Sequence, residues 1–274
     1  DKALHAENDI GELKSMSSGA LSCKPVQKNG KPMLEVVSGK NTLLLNPCGM
    51  ALESWTVDGT EQCSANFGQS AFWTPGKNGM VVNSNYRVTD QKISAEGLRV
   101  TAEFTTTVRS YPQLSGLKII KTVSLSSDLK QVAFEVKLNN TQAVAMNDVG
   151  YRWCFIPAAW NNLNRGTVEN NGRKFQRTNA HALLNANCDP ASEQIMRRLF
   201  NVKNPTLQIK GNLFRFAIPG KSVMQATFLP AEQFAGVAVW DTANMLAATF
   251  EPFYRPALIA PGGDISFSAQ FKAE

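Results

Sequence analysis

Residues 98–108 read LRVTAEFTTTV, residues 117–125 read LKIIKTVSL and residues 132–138 read VAFEVKL. In the first run Leu98, Val100, Ala102, Phe104, Thr106 and Val108 alternate with polar or small neighbours. In the second, Leu117, Ile119, Val123 and Leu125 hold alternate positions and Lys121 interrupts the apolar row. Val132, Phe134, Val136 and Leu138 repeat the pattern against Gln131, Glu135 and Lys137. Successive side chains of a strand point to opposite faces, so a period of two buries one face and wets the other. Turn residues separate the runs: Tyr111-Pro112 with Ser115-Gly116, then Ser126-Ser127-Asp128. Three long strands joined in this way predict an antiparallel meander.

Working outward, short apolar runs at 33–38, 42–46 and 51–57 precede the meander, and runs at 206–210, 213–218, 223–229, 235–240, 245–250 and 265–271 follow it. No strand–helix alternation and no fixed-period repeat is visible, which excludes a doubly wound sheet and a propeller. The expectation is an all-β fold: a large antiparallel two-sheet sandwich forming one domain over residues 31–274, after an N-terminal extension over 1–30. Asparagine and glycine tolerate left-handed backbone, so the Asn-rich stretch 157–190 reads as a long loop with one hairpin. Asp189-Pro190 then predicts the start of a short helix over 191–200.

Composition supports a packed core: 43% of residues are hydrophobic, with 15 Phe and 5 Trp among 274. The net charge is +6, but the basic residues are scattered and no binding module is recognisable, so nucleic acid is not an expected partner. No apolar run has the ~18 residues a membrane helix needs, so no membrane partner is expected either. Five Cys and two His form no metal-ligand spacing, and phosphate- and dinucleotide-loop motifs are absent, so neither metal nor cofactor is expected. The chain starts at Asp1 without an apolar signal segment, which fits a mature chain and a trimmed one equally well; the expected location is secreted or periplasmic.

Three stretches carry candidate chemistry. In Tyr151-Arg152-Trp153-Cys154-Phe155, alternation sets Arg152 on the face opposite Trp153; an arginine there either covers apolar surface or presents five donors to a sugar or carboxylate. Phe67–Gly76 reads as an aromatic loop in which Trp73 either closes the core or stacks on a sugar ring. Glu251-Pro252-Phe253-Tyr254-Arg255 reads as a stiff turn whose carboxylate can accept hydroxyl hydrogen bonds or act as a base, with Tyr254 and Arg255 beside it. His181, in the Asn-rich loop, is the one histidine outside the N-terminal segment.

The order of these pieces resembles the galactose mutarotase-like (aldose 1-epimerase) superfamily. The likeness runs from an N-terminal hairpin through Asp58-Gly59-Thr60-Glu61, Trp73-Thr74-Pro75, the meander, Leu138-Asn139-Asn140 and Glu251-Pro252 to the closing stretch Leu258–Asp264. The resemblance implies a β-supersandwich with a sugar cleft, a glutamate base at Glu251, and a histidine acid after the meander. The matching stretch, Gly150–Phe155, holds no histidine, and neither does the loop near Trp73, so only His181 can stand in. The expected function is therefore recognition of a sugar or oligosaccharide, acidic sugars included, without competent epimerisation. Trp73, Arg152, Trp153, Tyr254 and Arg255 would bind it. The alternatives are an aldose or hexose-phosphate epimerase using Glu251 as base and His181 as acid, and an accessory interaction domain without a sugar site.

Overall fold

The computed structural model of the chain describes residues 9–74, 77–81, 84–107, 114–203 and 206–274. It is an all-β, almost wholly antiparallel sandwich built from three hydrogen-bonded sheets of six, nine and eight strands. The two broad sheets expected from the sequence are the nine- and eight-stranded ones. The six-stranded sheet is a meander in chain order, from Met16–Ser18 to Thr60–Glu61. Strand structure thus begins inside the stretch read as an extension: Leu21–Lys28 pairs with Lys31–Ser38 over its full length, and Leu21 and Cys23 are buried. That strand escaped notice because its second half is exposed and carries little apolar signal.

The meander forms as read. Strands Gly97–Thr105, Leu117–Ser126 and Gln131–Asn140 lie side by side in the nine-stranded sheet, with Val100 opposite Val123 and Val123 opposite Phe134. Val108 and the Tyr111-Pro112 turn lie outside the described residues. Lys121, the break in the second run, points inward and is fully buried. Its Nζ donates to the carbonyls of Gly49 at 2.7 Å and Gly68 at 2.6 Å, which is how a cation survives in the core. Burial holds its pKa well below the usual lysine range.

Inward side chains from all three sheets merge into one core. Phe67, Phe134, Phe155, Phe228, Phe250 and Phe271 meet there edge to face or tilted, at centroid spacings such as 4.7 Å for Phe155–Phe271. Burying each such ring contributes about 1.5–3 kcal/mol relative to leaving it exposed.

The Asn-rich stretch is more ordered than a loop. It contains a 3-10 turn at Ala158–Trp160, a hairpin of Thr167–Asn170 with Arg173–Gln176, and a strand at Ala182–Asn185. Asn171 and Gly172 turn the hairpin with φ of 48° and 79°. The predicted helix is α1 (Pro190–Leu199). Asp189 caps it by accepting from the Ser192 amide at 2.9 Å, proline fills its first turn, and Arg197 and Arg198 close the last. Residues 245–250 form only isolated bridges, and the strand there is Glu251–Tyr254. No helix among the described residues is long and apolar enough to cross a membrane.

Candidate functional site

Three neighbouring strands of the eight-stranded sheet build the site: Gln69–Thr74, Met146–Cys154 and Glu251–Tyr254. Register decides which side chains share a face. Arg152 stands opposite Ala71 on one side and Phe253 on the other, and Gly150 stands opposite Trp73. By alternation Trp73, Gly150, Arg152, Cys154, Glu251 and Phe253 share one face, while Tyr151, Trp153, Phe155 and Tyr254 point to the inter-sheet core. The segments read as a loop at 67–76 and a turn at 251–255 are strands over 69–74 and 251–254. Both of their faces are covered, so the alternation that marks a half-wet strand is missing.

Arg152 and Glu251, far apart in the chain but brought together by that register, form a buried ion pair. Arg152 Nε lies 3.0 Å from Glu251 Oε2, with side chains 7% and 5% exposed. The pair is poorly aligned. Arg152 Nε and Nη1, Glu251 Oε2 and Trp73 Nε1 are all buried and without a hydrogen-bond partner among the described residues. The other carboxylate oxygen accepts from Thr249 Oγ1 at 2.8 Å, and Cys154 Sγ lies 3.8 Å from it. Burial pushes the Glu251 carboxyl above the usual range, with Arg152, Thr249 and Cys154 pulling the other way. Gly150 permits the arrangement: a Cβ there would sit 2.4 Å from the Trp73 ring.

Helix α1 roofs this face. Met196 and Phe200, four residues apart, pack with Trp73, Leu183, Ala235, Ala238 and Phe253 into a second apolar cluster. The Phe200 ring lies 4.8 Å from the Arg152 guanidinium carbon. Glu193 anchors the helix by accepting from Asn185 Nδ2 at 2.7 Å, Thr206 Oγ1 at 2.7 Å and Arg197 Nε at 3.0 Å.

The sequence candidates therefore separate. Trp73, Arg152 and Glu251 meet on the roofed face. Trp153 and Tyr254 are corrected: both are 0% exposed on the core face, where Tyr254 packs at 4.3 Å on Phe267, so neither offers a stacking platform. Arg255 is exposed, and its guanidinium donates to the Asn187 carbonyl at 2.9 Å and 3.1 Å. His181 is half-buried, its Nδ1 accepting from the Asp241 amide at 3.0 Å and its ring 5.0 Å from Trp240. Trp240 in turn touches Phe200 at 5.9 Å. Contacts thus run from His181 through Trp240 and Phe200 to Arg152, the partner of Glu251.

Sequence reading missed Phe253, Phe200 and the pair Arg177–Asp241. Phe253 was legible, because it lies two positions from Glu251 in an extended segment. Phe200 was legible only as the apolar partner of Met196 along a helix.

No protein-family model matches the sequence, and no curated protein sequence does. Solved structures do match. A galactose mutarotase-like protein from Clostridium acetobutylicum superposes with a TM-score of 0.60 at 11% identity, covering 94% of this chain and 99% of that one. A galactose mutarotase-like protein from Lactobacillus casei gives 0.54 at 11% identity, over 88% of this chain and 100% of that one. The Slr1438 protein from Synechocystis gives 0.57 at 12% identity, over 94% and 99%. These superpositions agree with the sequence resemblance, and the protein has the galactose mutarotase-like fold.

Proposed function

We propose that this protein recognises carbohydrate on the Trp73–Arg152–Glu251 face and does not epimerise it. The observation that supports the reading is the set of unpartnered polar atoms there. Trp73 Nε1 and Arg152 Nη1 are donors that each cost about 1–3 kcal/mol while buried unpaired, and Glu251 Oε2 is an acceptor held only by its misaligned ion pair. A sugar hydroxyl is donor and acceptor at once, so a hydroxyl-rich ring satisfies both kinds. An indole beside them supplies the apolar surface a pyranose face needs. Entry requires α1, which packs over this face, to lift.

Mutarotation has less support. A base must reach the anomeric hydroxyl and an acid the ring oxygen. Glu251 is engaged by Arg152 and Thr249, a guanidinium stays protonated at neutral pH, and His181 is engaged by the Asp241 amide and packs on Trp240. Depth of burial favours one other reading, an interaction domain in which α1 never opens.

The test is titration with a panel of neutral hexoses and oligosaccharides at millimolar concentration, together with anomeric exchange of glucose and galactose by NMR. Binding that is lost in Arg152→Met, with exchange at the spontaneous rate, is the expected result. Absence of binding across the panel, with the α1 amides protected from hydrogen exchange, overturns the proposal in favour of an interaction domain. Exchange above the spontaneous rate that disappears in Glu251→Gln restores the epimerase.

A further inference from the structure

We infer that a second site, an open polar cleft at one end of the sandwich, binds a single sugar unit bearing a carboxylate. The cleft is separate from the roofed face and does not depend on the function proposed for it. It encloses 370 Å³ between the segment Ala159–Gly166 and the segment Gln176–Asn179. That volume lies at the small end of natural ligand sites and suits one ring rather than an oligosaccharide.

Charge decides the ligand class. Arg165 lines the cleft, is exposed, and makes no ion pair or hydrogen bond among the described residues. No Asp or Glu lines the cleft. The acid next to it, Asp241, is fully used: one oxygen takes Arg177 Nε at 2.8 Å and the other takes the Asn179 amide at 2.9 Å. A positive charge is therefore left without a partner in a concave wall, and a guanidinium matches a carboxylate with two parallel donors.

Amides decide the rest. Gln176 and Asn179 present side-chain amides that make no hydrogen bond among the described residues, and Asn161 uses only its oxygen, accepting from the Leu163 amide at 3.0 Å. Primary amides carry donors and an acceptor at a spacing that matches neighbouring ring hydroxyls. Trp160 contributes to the lining while 3% exposed, and its Nε1 has no acceptor, so the wall has unused hydrogen-bonding capacity.

The cleft is also prebuilt. Arg177 ties its two sides together through Asn162 Oδ1 at 2.5 Å and the carbonyls of Met245 at 2.5 Å and Leu246 at 3.1 Å. Gly166 packs so closely that a Cβ would stand 2.4 Å from the Ala159 carbonyl oxygen. Walls that need no ordering on binding leave more of the contact energy as affinity.

Isothermal titration with D-glucuronate, D-glucose and acetate tests the site. The variants are Arg165→Gln, whose side chain is exposed and contact-free, the double variant Gln176→Ala/Asn179→Ala, and Arg152→Met as a probe of the roofed face. Wild type is expected to bind glucuronate at least tenfold more tightly than glucose or acetate. Arg165→Gln removes that preference, the double variant weakens glucuronate about tenfold, and Arg152→Met leaves it unchanged. Equal affinity for glucuronate in Arg165→Gln, or acetate binding as tightly as glucuronate, overturns the inference. Glucose binding that responds to Arg152→Met and not to Arg165→Gln reports on the roofed face alone, so the two readings fail separately.

Discussion

Two arginine–carboxylate pairs are buried among the described residues, and they are built to different standards. Arg177 and Asp241, 10% and 0% exposed at their side chains, meet at 2.7 Å. Arg177 also donates to Asn162 and to the carbonyls of Thr242, Met245 and Leu246, so its fork is fully used. Arg152 and Glu251 are as deeply buried but meet at one misaligned contact of 3.0 Å between Nε and Oε2, with Nη1 left over. Taking charges out of water is costly, and only good geometry with further hydrogen bonds offsets it. The first pair meets that condition and holds loops together. The second does not, which is why the proposed recognition is placed there.

The contrast can be broken most sharply at the satisfied pair. Asp241→Ala leaves the Arg177 charge buried without its acid and is expected to cost about 3–5 kcal/mol, read from urea denaturation midpoints. A near-neutral result would show that the Arg177 carbonyl contacts suffice alone. At the other pair, replacing both partners by apolar residues, Arg152→Met with Glu251→Leu, is expected to be neutral or to stabilise by up to about 4 kcal/mol, because it removes orphans rather than making them. The same double variant loses neutral-sugar binding, so stability and recognition move in opposite directions. A loss of stability instead would mean that the pair is a structural bolt like Arg177–Asp241.

A smaller effect concerns the roof. Asn185→Ala removes the 2.7 Å bond to Glu193 and loosens α1 without touching the polar face. A hydrogen bond to a charged group contributes about 1.5–3 kcal/mol, so the open fraction rises and apparent sugar affinity improves roughly tenfold or more. Unchanged affinity would sever the link between roof and site. Smallest is the pH dependence, which has opposite signs at two acids. Glu251, raised above its ordinary 4.5 by burial, contributes stability that is present below 4.5 and is lost as pH climbs through the raised value. Asp58, held at about 2 by Lys40 and Lys130, contributes stability that is present above its ordinary 3.8 and is lost as pH falls towards about 2. Midpoints across that range should lose the first limb in Arg152→Met with Glu251→Leu and the second in Asp58→Asn.

How legible a segment was followed from how much of it stays wet. The strands at 97–105 and 131–140 each keep a polar face, and the alternation of Val132, Phe134, Val136 and Leu138 against Glu135 and Lys137 announced them. The strand Glu251–Tyr254 is buried on both faces, as is Gly150–Cys154, so the stretch bearing the site read as a turn. Alternation did separate Arg152 from Trp153, but which face was core depended on strand partners far away in sequence. The α1 cap was local chemistry in Asp189-Pro190 and was readable. That its Phe200 end lies over Arg152 is a tertiary fact with no local signature.

Cys154 sits under the same roof, 7% exposed and 3.8 Å from the Glu251 carboxylate. It is a free thiol, and burial beside that carboxylate holds it protonated and unreactive. If α1 opens as proposed, the alkylation rate of Cys154 is a clock for that opening and is slow beside that of the half-buried Cys48 and Cys188. A sugar that props the helix open should speed this clock, and one that seals the site beneath it should stop it.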